Sequence, residues 1–313
     1  MTICEGILDQ EPQIVTLDDV KAHVEELPML PGVLYHMLQA DPEDDYFFEG
    51  IYDLASCDPP LASFILGYAN SASSNPQTKI ENLREALTRV GAGTVVELIT
   101  AQSMTTVFVP TRSEHRALWL HSVEVATIAA FLCRVSKQLK TQPQLAYLTG
   151  LIHDIGRFVM MQLAPNALQG TKAGDWSCAK ELVKVESSCM GFTHAQVGYL
   201  TCLKLGMSPM ISAAVRYHHH KKVATHPRAK CELRELSMIL QFADEVSVLL
   251  IRNPDWRTWS EDELNAKLVA YCTQKDWHSS SDIFFKFDMS QLVKALPILV
   301  DQSEELCFKL GVG

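Results

Sequence analysis

Leu151-Ile152-His153-Asp154-Ile155-Gly156-Arg157 sets an imidazole beside a carboxylate inside an apolar run. From Leu145 to Leu163 the chain is dense in Leu, Ile, Val and Met and carries few charges. That composition predicts a single buried helix begun by Pro143. Buried polar groups need partners, so His153 and Asp154 must be met by side chains from elsewhere.

On both sides nearly every segment reads as helix. Thr16 starts Leu17 to Glu26, with acidic residues in its first turn. The prolines of Leu27-Pro28-Met29-Leu30-Pro31-Gly32 break the pattern, and Gly32 to Ala40 resumes it ahead of an acidic connection, Asp41 to Asp45. Asp58-Pro59 is a cap followed by a proline at the first helical position, and Asn70-Ser71 ends that helix before a polar loop to Lys79. Asn82 caps Leu83 to Val90 and Gly91 closes it. Gly93 to Val109, Arg116 to Ser136, Ala179 to Cys189 and Cys231 to Ile251 are further helices, and Ala164 to Cys178 reads as a loop. Thr193-His194-Ala195-Gln196 and Ser260-Glu261-Asp262-Glu263 are capping boxes, and Ser208-Pro209 starts a helix ending near His218-His219-His220. Pro297 is expected to kink or break Met289 to Leu310.

No strand alternation persists, so the fold class is all-α. The polar, proline-led stretch Pro110 to Glu114 is the best internal boundary. It divides the chain into an N-terminal helical lobe (1–111), a second helical lobe (112–255) and a C-terminal helical extension (256–313).

The 313 residues are ample for a packed core, and a net charge of -10 argues against nucleic-acid or membrane-surface binding through bulk charge. No apolar run has the length of a membrane span, and the N-terminus lacks a signal-peptide pattern. Nine scattered cysteines without a Cys-x-x-Cys pair suggest reduced, buried thiols in a cytoplasmic protein.

Seven residues on apolar helices or at their ends are candidate metal ligands: His121, His153, Asp154, His194, His218, His219 and Asp244. Imidazole and carboxylate together suit divalent transition ions such as iron, manganese, nickel or zinc, and this set suffices for one or two. Two ions ~3.5 to 4 Å apart clamp the attacking and leaving oxygens of a phosphoester. Each residue also has a plain structural reading. A helical histidine is commonly a satisfied core group, a terminal His-His-His run suits the negative end of a helix, and Asp244 can cap or pair with a lysine. His23, His36, His115, His226 and His278 lie in polar contexts and are given no role.

His121, then His153-Asp154, then Asp244 resembles the signature of HD-type metal-dependent phosphohydrolases. His194-Ala195-Gln196-Val197-Gly198 and His218-His219 resemble the further ligand segments of the branch that hydrolyses cyclic di-GMP, but His220-Lys221-Lys222 stands where that branch has Gly-Tyr-Pro. Leu27-Pro28-x-Leu30-Pro31, Cys57-Asp58-Pro59-Pro60-Leu61, Ala69-Asn70-Ser71-Ala72 and Ile80-x-Asn82-Leu83-x-x-Ala86-Leu87-x-x-Val90-Gly91 resemble the HDOD family of bacterial signalling modules. That resemblance implies an HD-like bundle as the second lobe, a signalling partner protein, and no obligatory catalysis. It leaves two functions open. One is a regulatory module with a metal site. The other is a phosphohydrolase acting on a nucleotide or other phosphoester, in which Asp154 bridges two ions and Arg157 grips phosphate. Arginine can do so bidentately but cannot give up a proton at neutral pH. A structural ion pair is the alternative for Arg157, and a helix stop is the preferred reading of Asn70.

Overall fold

Caps written into the sequence start most of the helices of this computed structural model, which describes residues 15–30, 45–71, 79–110, 113–163, 179–274 and 287–312. No strand occurs among the described residues. α1 (Leu17–Glu26) begins at a reciprocal Thr16–Asp19 capping box and buries Val20 and Val24. α2 (Asp45–Cys57) leads to α3 (Pro59–Ala69), where the Asp58 carboxylate accepts from the Leu61 amide. The Asn70 side chain then donates to Leu66 O and Ile80 O and accepts from Ile80 N, stapling both ends of the intervening segment. That is the structural reading of Asn70. α4 (Leu83–Val90) ends at Gly91, whose φ of 84° needs a residue without Cβ.

α5 (Ala92–Val107) and α6 (Ser113–Val135) follow, then α7 (Pro143–Ile152), α8 (Ile155–Leu163), α9 (Ala179–Met190), α10 (His194–Lys204) and α11 (Pro209–Tyr217). α12 (Cys231–Arg252), α13 (Glu261–Gln274) and α14 (Met289–Lys309) complete the chain. Gly32 to Ala40, Asp41 to Asp44, most of the 71–79 loop and Ala164 to Cys178 lie outside the described residues, as do Pro31, His36, Ala72 and His278.

α6 and α7 form the closest pair, with α5, α12 and α14 packed around them. Gly150 sets their spacing, because a Cβ there would come within 2.7 Å of Ala126 Cα. One core cluster runs from Val20 through α3–α8 to Leu306 and Val312, so it draws on residues on both sides of position 112. A second joins the other face of α6 to α12, α13 and α14.

The structure departs from the sequence expectations at five points. The central helix is two helices, broken at His153-Asp154. The His153 Nδ1 takes Gly150 O at 2.7 Å, the carbonyl that residue 154 would use in a continuous helix, and Arg157 N closes a short turn onto Asp154 O. Pro297 sits inside α14 and does not break it. α6 is long and apolar enough to pass as a membrane span, but 72% of that window is buried, because both core clusters use it. Cys57, Cys189 and Cys231 are exposed thiols, and His115 is buried.

α5 and α6 are also joined by Glu97 and Arg134. Burial pushes the Glu97 carboxyl up to about 7 against the pull of Arg134. Between the ordinary carboxylate range and pH 7 the native chain therefore keeps a proton that the unfolded chain releases. Stability falls as pH rises through that window. Glu97→Gln should flatten the pH dependence of urea-unfolding stability between pH 5 and 8. An unchanged pH slope would refute this.

Candidate metal centre

Five elements bring all seven candidate residues together. His121 projects from α6, His153 and Asp154 from the α7–α8 turn, His194 from the first residue of α10, His218 and His219 from the end of α11, and Asp244 from α12. They form two groups, Asp154–His194–His218–His219 and His121–His153–Asp244, each with its ligand atoms within 4.8 Å of one another.

Local structure explains the placement. The Thr193–Gln196 capping box fixes the start of α10, so His194 faces inward. Ser208 and Pro209 start α11, and Gln241 of α12 donates to His220 O at 3.3 Å, holding its end. Gly156 lets α8 meet α10 backbone to backbone. A Cβ there would fall on the His194 carbonyl oxygen and within 2.6 Å of Gly198 N.

Four of the five rings are oriented by their far nitrogens. His153 Nδ1–H donates to Gly150 O at 2.7 Å, His218 Nδ1–H to Val215 O at 2.6 Å, and His194 Nδ1–H to Glu186 Oε2 at 2.6 Å. Ser247 donates to Glu124 at 2.6 Å, so its Oγ accepts from His121 Nδ1 at 2.9 Å. In the neutral rings all four Nε2 atoms then carry lone pairs turned toward the Asp154 and Asp244 carboxylates.

Lone pairs facing lone pairs call for a cation. His194 Nε2 lies 3.2 Å from His218 Nε2, 2.8 Å from His219 Nε2 and 3.3 Å from Asp154 Oδ1. His121 Nε2 lies 3.3 Å and His153 Nε2 3.9 Å from Asp244 Oδ1. Two donors ~2.1 Å from one ion at right angles sit ~3.0 Å apart, and a tetrahedral pair sits ~3.4 Å apart. His153 Nε2 and Asp154 Oδ1 are buried without a hydrogen-bond partner, a loss that native interiors rarely tolerate. The residues fit a divalent ion. Asp154 spans the groups, with Oδ1 toward His194 and His218 and Oδ2 3.8 Å from His153 Nε2.

The electrostatics agree. Burial pulls His153 down to about 4, and burial beside His218 and His194 holds His219 well below its usual value, which leaves both rings neutral. Burial would raise the Asp154 carboxyl, but His153, His194, His218 and Arg157 keep it well below the usual range. At His194 burial is outweighed by Glu186 and Asp154, and at His121 by Asp244, Asp154 and Glu124, so both rings are raised. That excess of negative charge attracts a proton or a metal alike. Arg157 lies at the outer edge, its Nη1 3.3 Å from Asp154 Oδ2.

The sequence reading missed the orienting groups. Glu186 carries a readable signal, since it follows the buried Leu182 by four residues and so lies on the apolar face of α9. Ser247 and Glu124 carry none, because their pairing depends on how α6 and α12 pack. Ser247→Ala removes the acceptor for His121 Nδ1. It should weaken metal affinity about tenfold, toward the lower end of losses at such supporting positions, in a competition titration against a chelating dye. Unchanged affinity would show that the Ser247 contact does not orient the ring.

A family model for the HDOD domain matches residues 27–221. The chain is 23% identical over 223 residues to an uncharacterised protein of Treponema pallidum (strain Nichols), covering 71% of this chain but only 42% of that longer relative. Similar solved structures include a candidate phosphohydrolase from Shewanella amazonensis SB2B (TM-score 0.66, 23% identity, 93% of this chain and 97% of that one). An HDOD domain protein from Geobacter sulfurreducens gives TM-score 0.66 at 19% identity, over 93% of this chain and 99% of that one. A candidate signal transduction protein from Marinobacter aquaeolei VT8 gives TM-score 0.64 at 18% identity, over 98% of this chain and 62% of that one. At these identities the likeness is one of fold.

Proposed function

We propose that this chain, which belongs to the HDOD domain family, is a signalling module built around a buried centre for one or two divalent transition ions. One observation carries the reading: the Nε2 atoms of His121, His153, His194 and His218 gather about the Asp154 and Asp244 carboxylates, with Asp154 Oδ1 buried and without a hydrogen-bond partner. His194, His218, His219 and Asp154 would hold one ion, and His121, His153 and Asp244 the other, with Asp154 shared. A regulatory role is favoured over turnover because His153, His194 and His218 are at most 2% exposed and Arg157 is engaged with Asp154. Metal analysis of protein purified without a histidine tag should find at least one iron, manganese, nickel or zinc ion per chain. Substoichiometric metal under every growth condition would sink the proposal.

A second reading rests on Asp154 alone. A carboxylate with one oxygen on each group is the arrangement that binuclear phosphoester hydrolysis uses, and bound ions would supply Lewis acidity there. The chain's own part would be to hold the ions through these seven residues and to steady a phosphate with Arg157. Metal-dependent hydrolysis of a phosphodiester or cyclic dinucleotide, lost in His153→Ala, would establish this reading over the regulatory one.

A further inference from the structure

α9 is anchored differently from the helices around it. Among the described residues, none of its side chains belongs to the buried set of either core cluster, and only Met190, its last residue, packs against one of them. Leu182 and Glu186 are buried, one turn apart on the same face, while Glu181, Lys184, Ser187 and Ser188 are exposed. An element with so little buried apolar surface opens locally more readily than the core helices do. Its hold on the bundle is therefore half apolar, through Leu182, and half ionic, through Glu186.

The ionic half depends on His194. Glu186 is 0% exposed, and its Oε1 has no hydrogen-bond partner. A buried carboxylate is unfavourable unless hydrogen bonds and opposite charge compensate it. Arg157 adds its charge, and both hydrogen bonds to Oε2 come from His194. Its Nδ1–H donates at 2.6 Å and its backbone amide at 3.0 Å.

The Nδ1 bond in turn depends on the opposite nitrogen of the same ring. His194 Nε2 lies 2.8 Å from His219 Nε2 and 3.2 Å from His218 Nε2. An ion on Nε2 confines the ring's proton to Nδ1 and polarises it, which strengthens the bond to a carboxylate. Without the ion, a proton on Nε2 relieves the crowded lone pairs there. The neutral ring then turns an Nδ1 lone pair onto Glu186 Oε2, and the carboxylate loses its shorter hydrogen bond.

We propose that α9 is the element through which the metal centre signals: an ion on His194 docks α9 by way of Glu186, and loss of the ion loosens it. The inference rests on the ion-centred reading and names the part of the chain that responds. Glu186 is then a positioning residue, acting on the ion through His194. Because such coupling is reciprocal, a docked α9 also favours the ion.

Hydrogen–deuterium exchange of the full chain tests this. Chelator-stripped protein is compared with protein reloaded with manganese, iron, nickel or zinc in turn, and bound metal is counted in the same samples. Amides of residues 183–190 should exchange at least tenfold faster without metal, while those of α3, which carries none of the seven ligands, keep their rates. Glu186→Gln should leave α9 of the loaded protein nearly as fast as in the stripped protein and weaken metal binding about tenfold. Leu182→Ala changes only the apolar half of the anchor, yet should weaken metal binding several-fold through the same linkage. A glutamate that merely aims the ring would show neither the exchange difference nor the Leu182 effect. Metal bound with unchanged exchange in α9, or a change spread evenly over the chain, would overturn the proposal and leave the ion-centred reading standing. Failure of all four metals to bind would overturn both.

Discussion

Gly156→Ala should be among the most damaging single substitutions in this chain. The added methyl would fall on the His194 carbonyl oxygen and lie within 2.6 Å of Gly198 N, which are main-chain atoms of α10 rather than the tip of a movable side chain. Relief requires α8 and α10 to separate, and that shift pulls His194 away from Asp154, now 3.3 Å from it. Overpacking against backbone costs about 3 kcal/mol or more. Urea unfolding should show that loss, and the surviving folded protein should bind metal more weakly. Gly198 faces the same contact, but a Cβ there first meets the Val215 side chain at 2.9 Å. Gly198→Ala should therefore be milder, since Val215 can turn aside. Equal losses at the two glycines would mean that backbone proximity is not what position 156 protects.

Asp154→Asn should remove metal from both ligand groups at once. The substitution keeps the shape of the side chain but deletes the negative charge that His153, His194, His218 and Arg157 hold in its ionised form. It also replaces one coordinating oxygen with an NH2 that cannot ligate. Because Oδ1 faces the His194–His218 side and Oδ2 the His153 side, the one remaining oxygen can serve only one group, and both lose the carboxylate's charge. Affinity should fall about 100-fold or more, beyond what supporting residues contribute. His219→Ala is the control, because it touches only one group and should leave the other ion in place. Metal analysis after dialysis reads both results. An Asp154→Asn protein that keeps one ion at full affinity would show that the carboxylate does not bridge.

Much of the fold was written in local sequence. Thr16, Asp58, Asn82, Thr193 and Ser208 cap helices where their side chains reach free amides, a contact spanning only two or three residues. The helix break at His153 was not readable from periodicity, because an imidazole taking the Gly150 carbonyl leaves the apolar pattern unchanged. Of the kink or break that Pro297 signals, the break does not occur, because α14 continues through it. α6 read as an ordinary helix, and its burial on two sides emerges only when both core clusters are assembled.

The chain by itself determined which side chains are of a type that can ligate a metal, that they lie on helices or at helix ends, and where most of those helices begin. Each of these follows from residue type and from contacts a few positions apart. Tertiary structure decided that the seven converge, how they divide about Asp154, and that Glu186 and the Ser247–Glu124 pair aim the rings. Those contacts join residues as far as 126 positions apart, His121 to Ser247. They depend on how closely backbones approach at Gly150 and Gly156, a distance no local pattern encodes.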